Sequence, residues 1–142
     1  YWDLCRIEGG GSMFPHDSDK NYFTGYTAEL RTVVIDKARA FINKCFEELS
    51  LQAEQIDHLF THQVSMNIFR DVTEITQIPE EKCHITFEHF GNTAAASIPL
   101  ALKGAIDQNR VKKGELLLFI GMAAGISISF QLIRWFLDVS RL

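Results

Sequence analysis

The chain has few cysteines and none that are closely spaced. Cys5, Cys45 and Cys83 are the three cysteines among 142 residues, and no two of them form a Cys-x-x-Cys pair. Neither a disulfide framework nor a zinc site built on cysteine pairs is therefore predicted. This sparse use of cysteine is typical of a reducing compartment, and we expect a cytoplasmic protein.

Long hydrophobic runs and basic tracts are also missing. The longest apolar stretch, residues 116–126, is interrupted by Gly121 and Gly125 and is too short to cross a bilayer. The net charge is -4, and the 14 basic residues form no cluster along the sequence. We therefore expect no partnership with a nucleic acid and none with a membrane.

The composition is that of a folded domain with a substantial core. Of the 142 residues, 46% are hydrophobic and 23% are charged, which predicts a single domain over residues 1–142. Within it, residues 1–26 form an entry strand followed by a glycine-rich loop. Because the first residue is Tyr1 and residues 1–7 resemble the continuation of a strand, we expect a fragment of a longer chain.

The periodicity of apolar residues predicts alternating helices and strands. Helices are expected over 27–50, over 66–76 before Pro79, and from the polar segment 89–93 to about 108. Strands are expected over 58–62, 83–87, 116–120 and 126–136, with a glycine-rich connection at 121–125. This order predicts an α/β fold with a mixed five-stranded sheet and helices on both faces.

Two polar segments follow predicted strands and place a histidine and an asparagine thirty positions apart (92 minus 62). His62 lies in Thr-His-Gln, and Asn92 lies in His-Phe-Gly-Asn-Thr. Open α/β sheets bind ligands at their strand ends. An imidazole and a carboxamide together suit an enzyme that holds a carbonyl oxygen while negative charge builds on it. No nucleophile lies beside them in the sequence.

Structural roles compete with this interpretation. A histidine after a strand is more often a hydrogen-bonded structural residue than a catalyst, and Asn92 could simply cap the helix that follows. A cap provided by Thr93 would leave the Asn92 carboxamide available. Cys45 and Cys83 are interpreted as packing residues. The remaining histidines follow no ligand spacing, so no metal site is expected; they are His16, His58, His84 and His89.

Several motifs occur together in a characteristic order. They are a Gly-Gly-Gly-Ser-x-x-Pro loop from Gly9, the His62-Gln63 pair, a Gly-Asn-Thr-x-Ala-Ala-Ser-x-Pro helix start from Gly91, the turn 110–115 and a glycine-rich hairpin. From Gly9 to Trp135 the chain resembles the C-terminal half of a β-ketoacyl-[acyl carrier protein] synthase III, a condensing enzyme of the thiolase superfamily.

The resemblance implies a thiolase-like fold and a decarboxylating Claisen condensation in fatty acid biosynthesis. In this family a cysteine of the N-terminal half takes an acyl group from acyl-coenzyme A. The residues matching His62 and Asn92 then hold the thioester carbonyl of malonyl-acyl carrier protein while it loses carbon dioxide. The resemblance implies a homodimer and no cofactor beyond the phosphopantetheine of coenzyme A or the carrier protein.

Further site residues follow from the same resemblance. The backbone of Ala124 and Gly125 would form a second oxyanion loop, although Ala124 stands where the family usually has glycine and resists a positive φ. The residues expected near the substrate and its pantetheine arm are Gln63, Ser65, Phe90 and Met122.

The chain departs from the family pattern in the region expected to dock the carrier protein. Ser65 stands where members often carry asparagine, and the expected basic residues are replaced by Asn67, Glu74 and Ile75. Arg70 and Lys82 could substitute for them. The donor or acceptor of the malonyl group is therefore left open.

Two classes of function remain at this stage. One is a condensing acyltransferase, in fatty acid or secondary-metabolite synthesis, of which this chain is the His/Asn half. The other is a non-catalytic or partner-completed domain. In either case we expect the isolated chain to be inactive, because covalent catalysis needs the missing cysteine. We also expect self-association through the small-residue helix after Asn92, which the missing half would otherwise cover.

Overall fold

The computed structural model describes residues 1–123 and 125–138. Its strands are β1 (Cys5–Ile7), β2 (Phe23–Gly25), β3 (His58–Thr61), β4 (Leu116–Ala123) and β5 (Ser127–Arg134). Its α-helices are α1 (Thr27–Glu48), α2 (Met66–Thr76), α3 (Phe87–Phe90) and α4 (Ser97–Asp107). Short 3-10 turns lie at Trp2–Leu4, Ser18–Lys20, Ala53–Gln55, Glu80–Lys82 and Ala94–Ala96.

The strands form two sheets. In the larger one, β3 and β5 flank β4, with β3 parallel and β5 antiparallel to it. The smaller sheet is an antiparallel ribbon of β1 and β2. The predicted α/β class with a mixed sheet is confirmed, but the strands are divided between a three-stranded and a two-stranded sheet instead of joining in one sheet of five.

Strand β4 lies between two hydrophobic cores. Side chains alternate across a strand, so its neighbouring residues face opposite sides of the sheet. Leu118 and Ile120 pack in the core formed with α1 and α2, whereas Leu117 and Phe119 pack with α4 in the other core. The expectation of helices on both faces is confirmed, and β4 is the element shared by the two cores.

Helices α1 and α2 cover one face of the sheet as the apolar spacing predicts. Ala38 and Ile42 of α1 are fully buried. Arg31 of α1 donates from Nε and Nη2 to the two carboxylate oxygens of Asp71 on α2, each at 2.9 Å. Helix α2 starts after Ser65, whose hydroxyl accepts from the Ile68 amide at 3.3 Å. The two helices thus hold the segment after β3 from one side.

The strand predicted over 83–87 is wrong. Only an isolated bridge from Cys83 to Leu59 forms there, and the chain then turns into α3. The backbone amides of Thr86 and Phe87 donate to the side-chain oxygen of Gln63, at 2.8 and 2.9 Å. A buried side chain therefore satisfies the amides that a ladder would have paired, and the β-like sequence pattern carries no sign of it.

The connection predicted at 121–125 is shorter than expected. Strand β4 continues through Gly121 and Met122 to Ala123, and β5 begins at Ser127. An added Cβ at Gly121 would lie 2.6 Å from the Ser129 hydroxyl oxygen on β5, so that hydroxyl, which accepts from the Gly121 amide, would have to move. The turn keeps Gly125 with a positive φ of 106°.

The helices of the described residues are all too short or too polar to cross a membrane.

Candidate active site

His62 lies immediately after β3, at the end of the parallel pair that β3 forms with β4. Its amide donates to the Ile120 carbonyl at 2.9 Å, which extends the pairing by one residue. Its ring nitrogen Nδ1 lies 2.7 Å from the Ser97 hydroxyl at the start of α4. Burial holds the pKa of the imidazole below its ordinary value of 6.5, and a hydrogen bond to the Ala94 backbone partly offsets that shift. The ring is therefore neutral at pH 7.

Asn92 is exposed and follows Gly91, whose φ is 63°. Its side-chain oxygen accepts from the Ala94 amide at 2.9 Å. The amide group Nδ2 has no hydrogen-bond partner within 1–123 and 125–138. The capping and donating roles of Asn92 thus use different atoms and do not compete.

The alternative in which Thr93 provides the cap is wrong. Thr93 makes no side-chain capping bond, and its hydroxyl is buried without a partner among the described residues. Asn92 provides the local turn itself, and the carboxamide keeps its donor available nonetheless.

The backbone of Ala94 connects the two candidate groups. Its N–H donates to Asn92 Oδ1 at 2.9 Å, and its carbonyl accepts from the Ser97 hydroxyl at 2.5 Å. Ala94 adopts a left-handed φ of 49°, which costs a non-glycine residue about 1 kcal/mol. The strain is stored at the residue that orients both side chains.

One cavity of about 710 Å³ brings together four of the predicted site residues. These are His62, Ser65, Asn92 and Met122. The cavity lies between the β1–β2 ribbon and the starts of α1 and α2. Its walls also include Cys5 and Arg31, which sequence analysis did not assign to the site. Arg31 is the single permanently charged side chain among the described residues that line this cavity.

A second cavity, of about 480 Å³, lies on the α4 side of His62. It is bounded by Ala94, Ala95 and Ile98 and by residues 121–123 and 127–129 of the β4–β5 hairpin. Because His62 lines both cavities, its ring stands between two spaces open to a ligand or a partner.

The other predicted residues lie elsewhere. Gln63 is fully buried and lines neither of these cavities. Phe90 is 59% exposed and also lines neither. Gly125 borders a separate cavity together with Tyr1 and Lys37. Ala124, expected to donate a backbone N–H to the second oxyanion loop, lies outside the described residues.

Gln63 acts as a clamp between the strand end and the segment leading to Asn92. Its Nε2 donates to the His84 carbonyl at 2.7 Å, while its oxygen accepts from the amides of Thr86 and Phe87. The segment before Asn92 is thereby tied to the residue after His62 by side-chain bonds rather than by a strand ladder.

A buried chain of polar side chains occupies the opposite end of β3. His58 Nε2 lies 3.1 Å from Glu115 Oε2, and His58 Nδ1 lies 3.0 Å from His84 Nε2. The His84 ring stacks on Phe60 with centroids 4.5 Å apart. Burial, followed by the charges of Arg110 and His58, lowers the pKa of His84 to about 3.

The carboxylate sets the direction of one bond in this chain. A carboxylate can only accept, so His58 donates to Glu115 from Nε2. The described residues contain no group of three or more His, Cys, Asp or Glu placed to hold a metal. Sequence analysis missed this chain because the three positions lie on separate segments and share no spacing signal.

The cysteines differ in their surroundings. Cys83 is buried, and burial with the charges of Glu80 and Glu81 raises the pKa of its thiol to about 12, which confirms the interpretation as a packing residue. Burial also raises the pKa of Cys45. Cys5 lines the larger cavity with His62 and Asn92.

The surface expected to dock a carrier protein is less acidic than the sequence indicates. Asp71 is paired with Arg31, and Ile75 is buried in the core. Lys82, however, donates to the carbonyls of Glu54 and Ile56 at 3.1 and 2.6 Å. Lys82 is thus held by two backbone carbonyls and keeps its charge, and its substitution for a docking residue stays a prediction.

Known proteins resemble this chain across most of its length. The profile of the 3-oxoacyl-[acyl-carrier-protein (ACP)] synthase III C-terminal family matches residues 46–135. The acetoacetyl CoA synthase NphT7 of Streptomyces sp. (strain CL190) is 33% identical over 94% of this chain and 42% of its own length. The β-ketoacyl-[acyl-carrier-protein] synthase III of Pyropia yezoensis is 29% identical over 89% of this chain and 39% of its own length.

A solved structure agrees with these sequence matches. The crystal structure of 3-oxoacyl-(acyl carrier protein) synthase III, FabH, from Pseudomonas aeruginosa PAO1 superposes with a TM-score of 0.80 and 26% identity, over 96% of this chain and 41% of the other. The chain thus spans about two fifths of the length of these relatives. The thiolase-like fold is confirmed, and the chain belongs to the 3-oxoacyl-[acyl-carrier-protein] synthase III C-terminal family.

Proposed function

We propose that this chain supplies the carbonyl-holding half of a decarboxylating condensation between an acyl thioester and a malonyl thioester. The observation that carries the proposal is that His62 and Asn92 line one cavity, each with one nitrogen that no described residue engages. Donors placed where negative charge develops stabilise the enolate left by loss of carbon dioxide more than they stabilise the ground state.

The nucleophile comes from outside the described chain in this proposal. An acyl group must be held covalently while the enolate attacks it, which requires an activated thiolate in the same site. The thiols of Cys45 and Cys83 have raised pKa values and line neither cavity of His62. Cys5 lines the larger cavity with His62 and Asn92, and the first experiment below tests it. We assign the acyl-accepting cysteine to the part of the relatives that this chain does not span, and we expect the complete enzyme to be a cytoplasmic homodimer.

The remaining site residues take supporting roles. Ser65 and Met122 line the cavity and would contact the thioester or its pantetheine arm. Phe90, exposed beside Gly91, would contact the substrate only once the missing half covers it. The backbone of Ala124 and Gly125 would provide the donor for the acyl carbonyl.

The carrier of the malonyl group separates two versions of the reaction. In fatty acid biosynthesis the malonyl group is carried by acyl carrier protein, as the name of the Pyropia relative indicates. The Streptomyces relative is named an acetoacetyl CoA synthase, which favours coenzyme A as carrier. Arg70 alone remains as an exposed cation of α2, because Asn67 and Glu74 replace basic residues there. An acidic carrier protein gains little from such a surface.

The first experiment tests the isolated chain with an acyl-coenzyme A. We expect no covalent acyl adduct by intact-protein mass spectrometry. Cys5 lines the cavity, so a Cys5→Ser variant is the matched control that shows whether an adduct forms at Cys5 or elsewhere. An acyl adduct on the wild-type chain would contradict the assignment of the nucleophile to the missing half, and its loss in Cys5→Ser would identify Cys5 as the nucleophile instead.

The second experiment joins the chain to the cysteine-bearing half of the relatives. We expect carbon dioxide release and a 3-oxoacyl thioester from malonyl-coenzyme A or from malonyl-acyl carrier protein, and the ratio of the two rates identifies the carrier. Completed protein that binds both substrates and releases no carbon dioxide would instead identify a non-catalytic domain.

A further inference from the structure

The orientation of the buried Gln63 carboxamide is fixed by three backbone partners. Its oxygen accepts from the amides of Thr86 and Phe87 at 2.8 and 2.9 Å, and its Nε2 donates to the His84 carbonyl at 2.7 Å. A carboxamide has one accepting end and one donating end, so the reverse orientation would leave all three partners unpaired. Gln63 is fully buried, and no bulk water can replace it there.

The two amides that Gln63 binds are the start of helix α3. Thr86, the residue before this helix, makes no side-chain capping bond. A helix cap normally comes from the residue next to the first turn. Here the accepting oxygen belongs to a residue 24 positions before Phe87, which follows His62 at the end of β3. The start of α3 is therefore fixed to the end of a strand of the sheet.

Helix α3 transmits this placement to Asn92. The Thr86 carbonyl accepts from the Phe90 amide at 3.0 Å, and the Phe87 carbonyl accepts from the Gly91 amide at 2.8 Å. Gly91, with a φ of 63°, then turns the chain into Asn92. Among the hydrogen bonds of the described residues, only those to the Gln63 side chain join residues 85–91 to the rest of the fold.

We infer that Gln63 is a positioning residue that sets where the Asn92 carboxamide lies relative to His62. The amide of His62 is held directly by the Ile120 carbonyl of β4, whereas Asn92 is held through Gln63 Oε1 and α3. The inference rests on the proposed function, in which both side chains hold one carbonyl oxygen. Gln63 lines neither cavity of His62, so it acts on that oxygen only through Asn92.

A double-mutant cycle in the completed protein tests this route. Gln63→Leu should lower kcat for decarboxylation about 10²-fold with little change in KM, because the misplaced donor acts in the transition state. In an Asn92→Ala background the same substitution should lower kcat less than about two-fold, since no carboxamide is left to misplace. Gln131→Leu, on the exposed face of β5, is the matched control and should leave kcat unchanged.

Nitrogen-15 correlation of the side-chain amides tests the placement without turnover. An Asn92→Asp variant of the labelled chain assigns the Asn92 signal, and Gln63→Leu should move that signal toward the shift of an asparagine in an unfolded chain. Gly91→Ala should move it in the same way, because its positive φ is strained for alanine although there is space for the added Cβ. Gly114→Ala, at a φ of 95° with equal space, is the control and should leave the signal in place.

Three results would overturn the inference. One is a Gln63→Leu variant, folded by circular dichroism, whose Asn92 signal and kcat are unchanged. Another is an equal loss of kcat with and without Asn92, which would mean that Gln63 acts by another route. The third is a Gly91→Ala variant that behaves like Gly114→Ala, and this test remains if Gln63→Leu does not fold. An absence of condensation in the completed protein would contradict the proposed function and leave the spectroscopic result standing.

Discussion

Strand β3 has a histidine at its first residue, His58, and another just after its last, His62. The two differ in how many of their ring nitrogens have a hydrogen-bond partner. Both ring nitrogens of His58 have a partner, Glu115 on one side and His84 on the other. His62 has one nitrogen held by Ser97 and the other unengaged, on a ring that lines two cavities. The same side chain is structural where its ring is fully bonded and available for chemistry where one position is open.

The largest expected effect comes from removing the imidazole of His62. His62→Ala in the protein completed with its cysteine-bearing half should lower the rate of decarboxylation about 10²–10³-fold, since one donor to the oxyanion is lost. Glu115→Gln, at the closed end, is the matched control and should leave the rate unchanged. Equal losses of decarboxylation rate in the two variants would show that His62 contributes no more to catalysis than the chain that ends at Glu115.

The Gln63 side chain links the residue after His62 to the segment 84–87, so its removal should lower the free energy of unfolding. Gln63→Leu leaves the His84 carbonyl and the amides of Thr86 and Phe87 without their partner in the interior. We expect the free energy of unfolding to fall by about 3 kcal/mol, because unsatisfied buried groups keep their desolvation penalty. Urea titration followed by circular dichroism measures it.

The exposed Gln131 on β5 provides the comparison for that measurement. Gln131→Leu should change the free energy of unfolding by less than about 0.5 kcal/mol. A similar loss in both variants would show that the clamp at Gln63 contributes no more than an ordinary surface amide.

The buried chain of His58, His84 and Glu115 at the start of β3 should make the stability of the fold sensitive to acid. His84 has a folded pKa of about 3 against an ordinary value of 6.5, so below pH 6.5 the unfolded chain binds a proton that the folded chain excludes. Stability is complete above pH 6.5 and falls as the pH decreases, by on the order of 3 kcal/mol at pH 4. Urea midpoints between pH 8 and pH 4 would follow it.

A His84→Phe variant isolates this contribution. It keeps an aromatic ring against Phe60 and removes the titrating group, so most of the pH dependence should disappear. A smaller slope of the same sign should remain, because the pKa of His62 is also lowered. An unchanged slope would show that groups other than His84 cause the acid sensitivity.

The smallest effect is expected at Glu115, the carboxylate at the end of the hydrogen-bonded chain of His84 and His58. Glu115→Gln keeps an oxygen that accepts from His58 and loses only the charge. Hydrogen bonds to an ionised acceptor are roughly twice as strong as neutral ones, so we expect a loss of about 1 kcal/mol at pH 7. A loss above about 3 kcal/mol would mean that the charge itself holds the two histidines in place.

The helices with regular apolar spacing and the strand before His62 were predictable from the sequence. The hydrogen bonds between side chains distant in the sequence were not. Helices α1 and α2 follow from apolar residues spaced by three and four, and His62 follows a strand as predicted. Asn92 was expected after a strand over 83–87 that does not form, although the two residues do line one cavity. The segment 83–87 was assigned to a strand because its pattern is β-like, whereas the distant Gln63 decides its conformation. Tertiary bonds of this kind leave no local signal.

Ser97 and the His58–His84 pair show which signals were available. Ser97 is a polar residue within an alanine-rich helix start, and a polar residue in a buried position needs a partner. That signal could have directed attention to it. The hydrogen bond between His58 and His84 has no such signal in the sequence, since it forms only when the bridge between Cys83 and Leu59 places the two rings side by side.

The left-handed conformation of Ala94 has a consequence for how the site can fail. One residue's N–H positions Asn92 and its carbonyl positions Ser97 and, through it, His62. If Ala94 relaxed to the right-handed φ that alanine prefers, both groups would lose their orientation in a single step. A change in the backbone conformation of Ala94 would therefore disturb both groups together rather than one at a time.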